Sequence, residues 1–564
     1  MAGIFLSSVN DTRHHGHPRT WPWWFSGALA LIVIAALTLL PLASMIVEAG
    51  TINWANALAD TYTQRIIRFS LYQALLSTVL SLGFALPVAL ALAHTPRFPA
   101  RSLIVTLFSL SLVIPTIVAI YGIVAIYGRT GWLSQLRDLA GLEPPAFYGL
   151  TAILIAHVFF NMPLAVRVML MSLEAIPQTN WRLARQLGMS QFSIWRLIEW
   201  PTLKGQLPGL ALLVFTLCFT SFAIVMTLGG GPRATTIEVA IFQSLRFDFD
   251  IPMAVTLACI QLGICLVLTF LSTLFKTDTD LGFQSVAAFS LKPSKKTPDL
   301  LLHVALWDSP IQRLVNVLLI GIATVFVIAP LVALVLSGIN SSTVKVVTDP
   351  ATLRAVANTS VAALCAAIVS VTLATGLLVT ARHLRIRLNL THSGQWLQLA
   401  GNMILIIPPV VLGTGLFLLL RPYADVFSIA LLLVILINSL MALPFVLRIM
   451  DTPVMRTASQ HDKLIQALGI QGFSRWRHID WPQLRKPMAM AFAFAATLSA
   501  GDLSAIALFG SKQVTTLPLL LYQRIGSYRL EEAAVTAGLL LLLCFALFLL
   551  LQRLIGGKAN AITG

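Results

Sequence analysis

Leu187–Lys204 reads LGMSQFSIWRLIEWPTLK, and Leu468–Arg485, 281 residues further on, reads LGIQGFSRWRHIDWPQLR. Ten of the eighteen positions are identical, and Glu199/Asp480 and Lys204/Arg485 keep their charge. Both stretches are polar islands between long apolar runs. A membrane chain that repeats a soluble loop this closely presents two equivalent surfaces, which points to a partner with two-fold symmetry.

Within each island the spacing predicts a short helix, a sharp turn and a second helix. Leu183 and Leu187 lie four apart, on one helical face. Gly188 comes next, where a left-handed helix stop is least costly. Phe192, Trp195 and Ile198 then recur at three-residue spacing, as on an amphipathic helix. The second copy has Leu464 and Leu468, Gly469, then Phe473, Trp476 and Ile479. Trp200-Pro201 and Trp481-Pro482 are expected to anchor each unit at the membrane interface and end it. A unit of this kind packs on a membrane surface or inserts into a partner's groove, and two matched copies favour the groove.

Outward from the islands the chain is apolar. Of its 564 residues, 57% are hydrophobic and only 11% charged. Twelve runs are long enough to cross a bilayer as helices: 22–47, 70–94, 103–127, 148–171, 208–229, 252–275, 314–337, 359–381, 397–420, 426–447, 488–510 and 533–554. Met1–Thr20 is polar, and the run after it is too long for a cleavable signal, so it reads as the first membrane helix. His14, His15 and His17 in that tail have no accompanying Cys or carboxylate cluster and are not expected to bind metal. Cys218, Cys259, Cys265, Cys365 and Cys544 all fall inside apolar runs and read as small buried hydrophobes.

Charge orients the chain. With the N-terminus and both islands on one side, that side carries 26 Lys and Arg against 10 Asp and Glu. The opposite side carries 12 against 12. This is the positive-inside pattern, so both termini and both islands are expected on the cytoplasmic side. The net charge of +16 therefore reports topology and not nucleic-acid binding.

The repeat extends beyond the islands. Pro163/Pro444, Arg167/Arg448 and Met169/Met450 share the same offset. TTIEVAIFQ (Thr235–Gln243) echoes TTLPLLLYQ (Thr515–Gln523), and LVIPTIVAIYG (Leu112–Gly122) echoes LIIPPVVLGTG (Leu405–Gly415). Six helices, an even number, separate equivalent points, so the repeats are parallel. The expected organisation is a cytoplasmic tail (1–20), a first repeat (21–275, core about 64–272), a cytoplasmic linker (276–313) and a second repeat (314–564, core about 353–550). The fold class is all-α, a polytopic membrane protein of about 12 transmembrane helices. Pro115, Pro163, Pro408, Pro409 and Pro444 are expected to kink their helices.

The islands resemble the conserved cytoplasmic loop of binding-protein-dependent ABC importer permeases, with its Glu-Ala-Ala…Gly…Pro pattern. The Gly, the apolar residues after it and the Pro match. The Glu-Ala-Ala is here Arg182-Leu183-Ala184 and Lys463-Leu464-Ile465, so no role of that Glu is carried over. The resemblance implies the type I ABC importer permease fold. It makes Leu187, Gly188, Met189, Phe192, Trp195 and Pro201, with Leu468, Gly469, Ile470, Phe473, Trp476 and Pro482, the surfaces that dock an ABC ATPase dimer. It also implies a periplasmic solute-binding protein on the outer side, facing among others Gly229-Gly230-Gly231-Pro232. The segments YGRTGWL (Tyr127–Leu133), AHVFFNMPLAVR (Ala156–Arg167), GGGPRATTIEVAIFQSL (Gly229–Leu245), TLPLLLYQRIGSYR (Thr516–Arg529) and AAVTAGLLLLLCF (Ala533–Phe545) narrow it to fused double-length permeases of the thiamine and thiamine pyrophosphate type. Similar fused permeases carry iron and other small solutes.

Negatives fit this reading. No GxxxxGK[ST] loop, HExxH pair, Cys/His metal set or nucleophile elbow occurs, so no enzyme activity and no cofactor is expected, and ATP must be hydrolysed by a separate subunit. Asp502, in TLSAGDLSAIALFG, stands out as an ionisable residue expected within the eleventh helix. Its counterpart at the common offset is Ser221. Both are candidates for the substrate path, where Asp502 would face the thiazolium cation of thiamine. The alternatives for Asp502 are a structural pairing with an Arg or a backbone group, or a structural part in gating the pore. An ion-driven carrier of two six-helix halves would want paired intramembrane carboxylates, and Asp502 is the one candidate.

Overall fold

The computed structural model describes residues 24–556, apart from 275–308 and the positions 51, 97, 99, 111–113, 143–146, 389, 471 and 512. The expected N-terminal tail with its three histidines, and nearly all of the expected linker, lie outside the described residues. All regular structure among the described residues is helical. Ten helices are long and apolar enough to cross a membrane, or eleven counting one bent pair.

In the first half the helices are α1 (Phe25–Ala49), α2 (Thr61–His94), α3 (Arg101–Leu110), α4 (Thr116–Tyr127), α5 (Leu150–Glu174), α6 (Gln178–Gln186), α7 (Trp200–Phe219), α8 (Phe222–Leu228), α9 (Ile237–Arg246) and α10 (Ile251–Leu274). The second half contains α11 (Pro310–Ser337), α12 (Pro350–Arg382), α13 (Thr391–Asn402), α14 (Pro409–Leu420), α15 (Ala430–Ala467), α16 (Trp481–Gly501), α17 (Ser504–Phe509), α18 (Leu517–Gly526) and α19 (Leu530–Gly556).

Four of the twelve apolar runs are not single straight helices. The runs 103–127 and 397–420 break at Pro115 and at Pro408-Pro409, and the bend at the latter is 90°. A residue before proline is pushed out of the helical region, and proline itself has no N–H for the ladder. Ile407 and Pro408 are accordingly extended, with ψ of 112° and 144°. Pro115 and Pro409 thus begin helices and do not kink them, whereas Pro163 and Pro444 remain inside α5 and α15. The runs 208–229 and 488–510 break without proline, at Thr220-Ser221 and Asp502-Leu503.

The repeat is visible in individual hydrogen bonds. The carboxylates of Asp60 and Asp349 cap α2 and α12, accepting from Thr63 N at 2.9 Å and Ala351 N at 3.1 Å. Further along the same helices, Ser70 Oγ accepts from Ile237 N at 3.0 Å and Thr359 Oγ1 from Leu517 N at 2.8 Å. Each cap satisfies the first amide of the short helix α9 or α18, which lies buried and has no water to turn to.

The halves exchange their first helices. α1 packs on α12 and α14 of the second half, and α11 packs on α2 and α4 of the first. Glycines make these crossings close: a β-carbon at Gly415 would collide with the Pro41 carbonyl, and one at Gly122 with the Pro330 carbonyl. Gly27 N donates to Thr380 Oγ1 at 3.1 Å and Ser44 Oγ to Gly415 O at 3.0 Å, stitching α1 to the other half. The five cysteines are free thiols, three buried and two, Cys259 and Cys365, only partly so.

Candidate docking loops and transport path

The first island folds as expected up to its turn. α6 ends in a left-handed glycine, Gly188, with φ +58°. Met189 N donates to Ala184 O at 3.0 Å and Gly188 N to Arg185 O at 3.1 Å, the paired bonds of a Schellman motif. In the second island Gly469 has φ +64°, and Ile470 N donates to Ile465 O at 3.1 Å. An L side chain is strained in this region, which explains a glycine at both places.

Beyond the turn the chain departs from the amphipathic helix ended by Trp-Pro that the spacing suggests. Residues Gln191–Ile194 form one α turn, Trp195–Glu199 a π turn, and the chain continues without a stop into α7. The second copy does the same through Gly472–Arg475 and Trp476–Asp480 into α16. Pro201 and Pro482 lie at the second position of their membrane helices and end nothing. The π turn is the reason. Trp200 N bonds to Trp195 O, and Trp481 N to Trp476 O, five residues back instead of four. The extra residue opens the ladder where the proline ring would otherwise meet the carbonyl of the preceding turn. The rings form a short row, with centroids 5.9 Å apart for Phe192–Trp195, 5.7 Å for Trp195–Trp200 and 5.2 Å for Trp476–Trp481.

Each loop exposes large apolar side chains at a polar end of the molecule. Leu183, Leu187, Phe192 and Leu197 are exposed on the first, and Leu464, Leu468 and Trp476 on the second. Met189, Trp195 and Ile470 are half-buried, and Pro201 and Pro482 are exposed. The side chain of Phe473 lies outside the described residues. Exposed apolar side chains grouped in this way make each loop a candidate interaction surface.

Beneath each loop sits a buried acid that the sequence comparison paired but assigned no role. Glu199 Oε1 lies 2.7 Å from His94 Nε2, at the end of α2. Asp480 accepts from Arg382 at 3.1 Å and from Arg475 at 3.3 Å. Arg475 in turn donates to Asp462 at 2.5 Å, and Arg387 approaches Asp462 at 3.7 Å. These acids tie each loop to the helix that begins its repeat's core.

Ser221 and Asp502 occupy matching places, but Asp502 stands in a break between helices and not within one. Its carboxylate accepts from Ser504 N at 3.2 Å and Ala505 N at 3.0 Å, capping α17. Ser221 Oγ donates to Cys218 O at 2.8 Å and pairs with His157 Nε2 at 2.8 Å; His157 Nδ1 pairs with Ser77 Oγ at 2.8 Å. At the common offset Asn438 replaces His157, and its amide reaches Ser499 Oγ at 3.0 Å. The Gly229–Gly231 segment is an irregular turn, with φ +69° at Gly230 and +133° at Gly231, leading into a single 3₁₀ turn over Pro232–Ala234.

Asp502 is not the one buried carboxylate beside these breaks. Glu238 on α9 is 1% exposed; Gln261 Nε2 donates to its Oε1 at 3.2 Å, and the carboxylate faces the Phe222 amide at the start of α8. Thus each broken segment begins at a carboxylate, Asp502 from its own chain stretch and Glu238 from the next long-range neighbour, α9. Glu238 was hidden within the apolar run TTIEVAIFQ, whose second copy carries Pro518 at that place.

Comparison with known proteins agrees with this geometry. The family model described as "Binding-protein-dependent transport system inner membrane component" matches residues 85–280 and 393–560. The chain is 42% identical over 551 residues to "Thiamine transport system permease protein ThiP" of Brucella abortus (strain 2308), covering 96% of this chain and 97% of that one. The proteins of the same description from Salmonella typhimurium (strain LT2) and Escherichia coli (strain K12) are 42% and 40% identical over 95% of this chain and 98% and 97% of theirs. With the family pattern matched in both halves and the relatives matched end to end, the chain belongs to the binding-protein-dependent inner-membrane permeases, as a fused form that carries two permease units in one polypeptide.

Proposed function

We propose that this chain is the membrane subunit of an ATP-driven importer of thiamine and its phosphate esters in a bacterial inner membrane. The observation that carries the reading is the pair of equivalent loops, each a glycine-terminated helix with exposed leucines and aromatic rings, in a chain alike over its whole length to thiamine permeases. Both loops and both termini lie in the cytoplasm, where the basic excess is. An ATPase dimer docks there, one subunit per loop. A loaded solute-binding protein docks on the opposite face, around Gly229–Pro232. ATP-driven closure of the dimer moves the loops, and the buried acids Glu199 and Asp480 pass that movement to α2 and α12. Alternating access results as a population shift between two packings of the halves. ATP hydrolysis belongs to the separate subunit.

The substrate path runs past the two broken segments. Ser221 and Asp502 line it. Asp502 supplies the negative charge that meets the thiazolium ring. Because two amides hold its carboxylate, Asp502→Asn keeps part of the cap and removes the charge, so thiamine uptake falls while assembly persists. Uptake at the wild-type rate in that variant ends the assignment of Asp502.

The test of the whole reading is labelled-thiamine uptake in cells lacking their own permease, supplied with this chain, its ATPase and its binding protein. A β-carbon at Gly188 or Gly469 meets nothing within 4 Å, so Gly188→Trp plus Gly469→Trp disturbs the turn and the docking face without disturbing the core. Uptake by the wild type and its loss in the double variant, at equal membrane levels, supports substrate and loops together. No uptake by the assembled wild type moves the substrate to iron or another small solute.

A further inference from the structure

Away from both loops, the start of α2 carries a basic groove that the transport reading does not use. It is open, about 430 Å³ in volume, and is lined by Gln64, Arg65, Arg68, Phe69, Tyr72 and Arg233. Arg65, Arg68 and Tyr72 repeat at helical spacing on one exposed face. None of the three arginines takes part in an ion pair among the described residues. The acid nearest in sequence, Asp60, is committed to Thr63, through its amide at 2.9 Å and its hydroxyl at 2.9 Å.

Depth identifies the occupant. The same face of α2 continues through Leu71, Leu75 and Val79, all exposed and apolar, as a lipid-facing stripe. Tyr72 stands at its head, the place of an interfacial aromatic. Arg68 and Arg65 lie four and seven residues beyond Tyr72, roughly 6 and 10 Å along the axis. The headgroup layer occupies about 5–8 Å on each side of the hydrocarbon core. The guanidinium groups therefore stand at headgroup level, directly above a strip of acyl-chain contact. Guanidinium forks match phosphate oxygens bidentately.

We propose that this groove binds the phosphate of an anionic phospholipid in the leaflet opposite the docking loops, with its acyl chains along Leu71, Leu75 and Val79. A zwitterionic headgroup would bring its own ammonium into a cluster of three unpaired cations. The second half shows that the groove is not a by-product of the fold. In the register set by the shared caps, Arg65 becomes Arg354, but Arg68 becomes Ala357, Tyr72 becomes Val361 and Arg233 becomes Gln513. Arg354 turns to its own helix, its Nε donating to Pro350 O at 3.3 Å. Among the described residues there is one such site.

The test uses the full chain with its ATPase, reconstituted in nanodiscs of phosphatidylglycerol and phosphatidylethanolamine and then delipidated, with retained lipid counted by mass spectrometry. Wild type is expected to retain phosphatidylglycerol selectively. Arg65→Ala plus Arg68→Ala is expected to weaken that retention about thirtyfold, at roughly 1 kcal/mol for each cation removed. Arg354→Ala is expected to leave it unchanged, and Arg65→Lys plus Arg68→Lys to restore most of it. Equal retention by wild type and the alanine variant overturns the proposal, as does an equal loss in Arg354→Ala. Unchanged lipid retention with a lost response of ATPase rate to the binding protein would also overturn it, by making the groove a protein contact.

Discussion

The two repeated loops have the same backbone and different foundations. Both end a helix on a left-handed glycine, pass through a π turn and enter a membrane helix at a Trp-Pro pair. Yet in the first Glu199 meets His94, while in the second Asp480 belongs to a network with Arg382, Arg475, Asp462 and Arg387. Backbone geometry is set by glycine, proline and hydrogen-bond closure, which admit few substitutes. The charged contact only has to hold an acid in place, and an imidazole or a pair of guanidiniums can do so. An imidazole offers at most two N–H donors and a guanidinium five, so the two loops differ in how firmly they are tied to α2 and α12.

The strongest way to break this comparison is to remove the acid on each side. Asp480→Ala leaves Arg382 and Arg475 buried without their shared counter-charge, and a loss of about 3–5 kcal/mol is expected. Glu199→Gln keeps an acceptor for His94 and is expected to lose no more than about 1 kcal/mol. Thermal unfolding of the purified permease reads both, and equal shifts would refute the difference in foundation. Next in size are the crossings of the halves. Gly122→Leu and Gly415→Leu drive a side chain into the Pro330 and Pro41 carbonyls, for a loss of about 1–3 kcal/mol in each case. Here the halves should respond alike, and a large disparity would mean that one crossing is not a close contact.

Smaller effects sharpen the picture of the turn itself. Gly188→Ala and Gly469→Ala should each weaken their loop by about 1–2 kcal/mol, since an L residue must take up positive φ. Hydrogen exchange confined to the two loops reads this, and matched increases are expected. Least costly are Pro201→Ala and Pro482→Ala. With the ring gone, the π turn can close to an α turn, so a structure of the double variant should show Trp200 N and Trp481 N bonded four residues back. Persistence of both π turns would show that proline is not their cause.

Much of this could be read along the chain. The apolar runs, the repeat and the left-handed glycines are local signals, since hydropathy acts residue by residue and a glycine turn is settled by a few dihedral angles. The offset between copies was enough to pair Ser221 with Asp502 and Glu199 with Asp480. The helix breaks were less legible. A proline inside an apolar run reads equally as a kink or a start, and the 90° bend before Pro409 is settled by what packs around it. The breaks at Ser221 and Asp502 carry no proline at all.

By itself, then, the sequence determined the class, the two parallel repeats and the two loops, because each depends on composition or on contacts within a few residues. Only the tertiary structure decided that α1 packs on the second half and α11 on the first, that His94 and Arg382 are the partners of Glu199 and Asp480, and that Glu238 lies at the start of α8. Those contacts join residues tens to hundreds of positions apart. In a bilayer every helix is apolar on the outside, so hydropathy does not distinguish one neighbour from another; close fit and satisfied polar groups do.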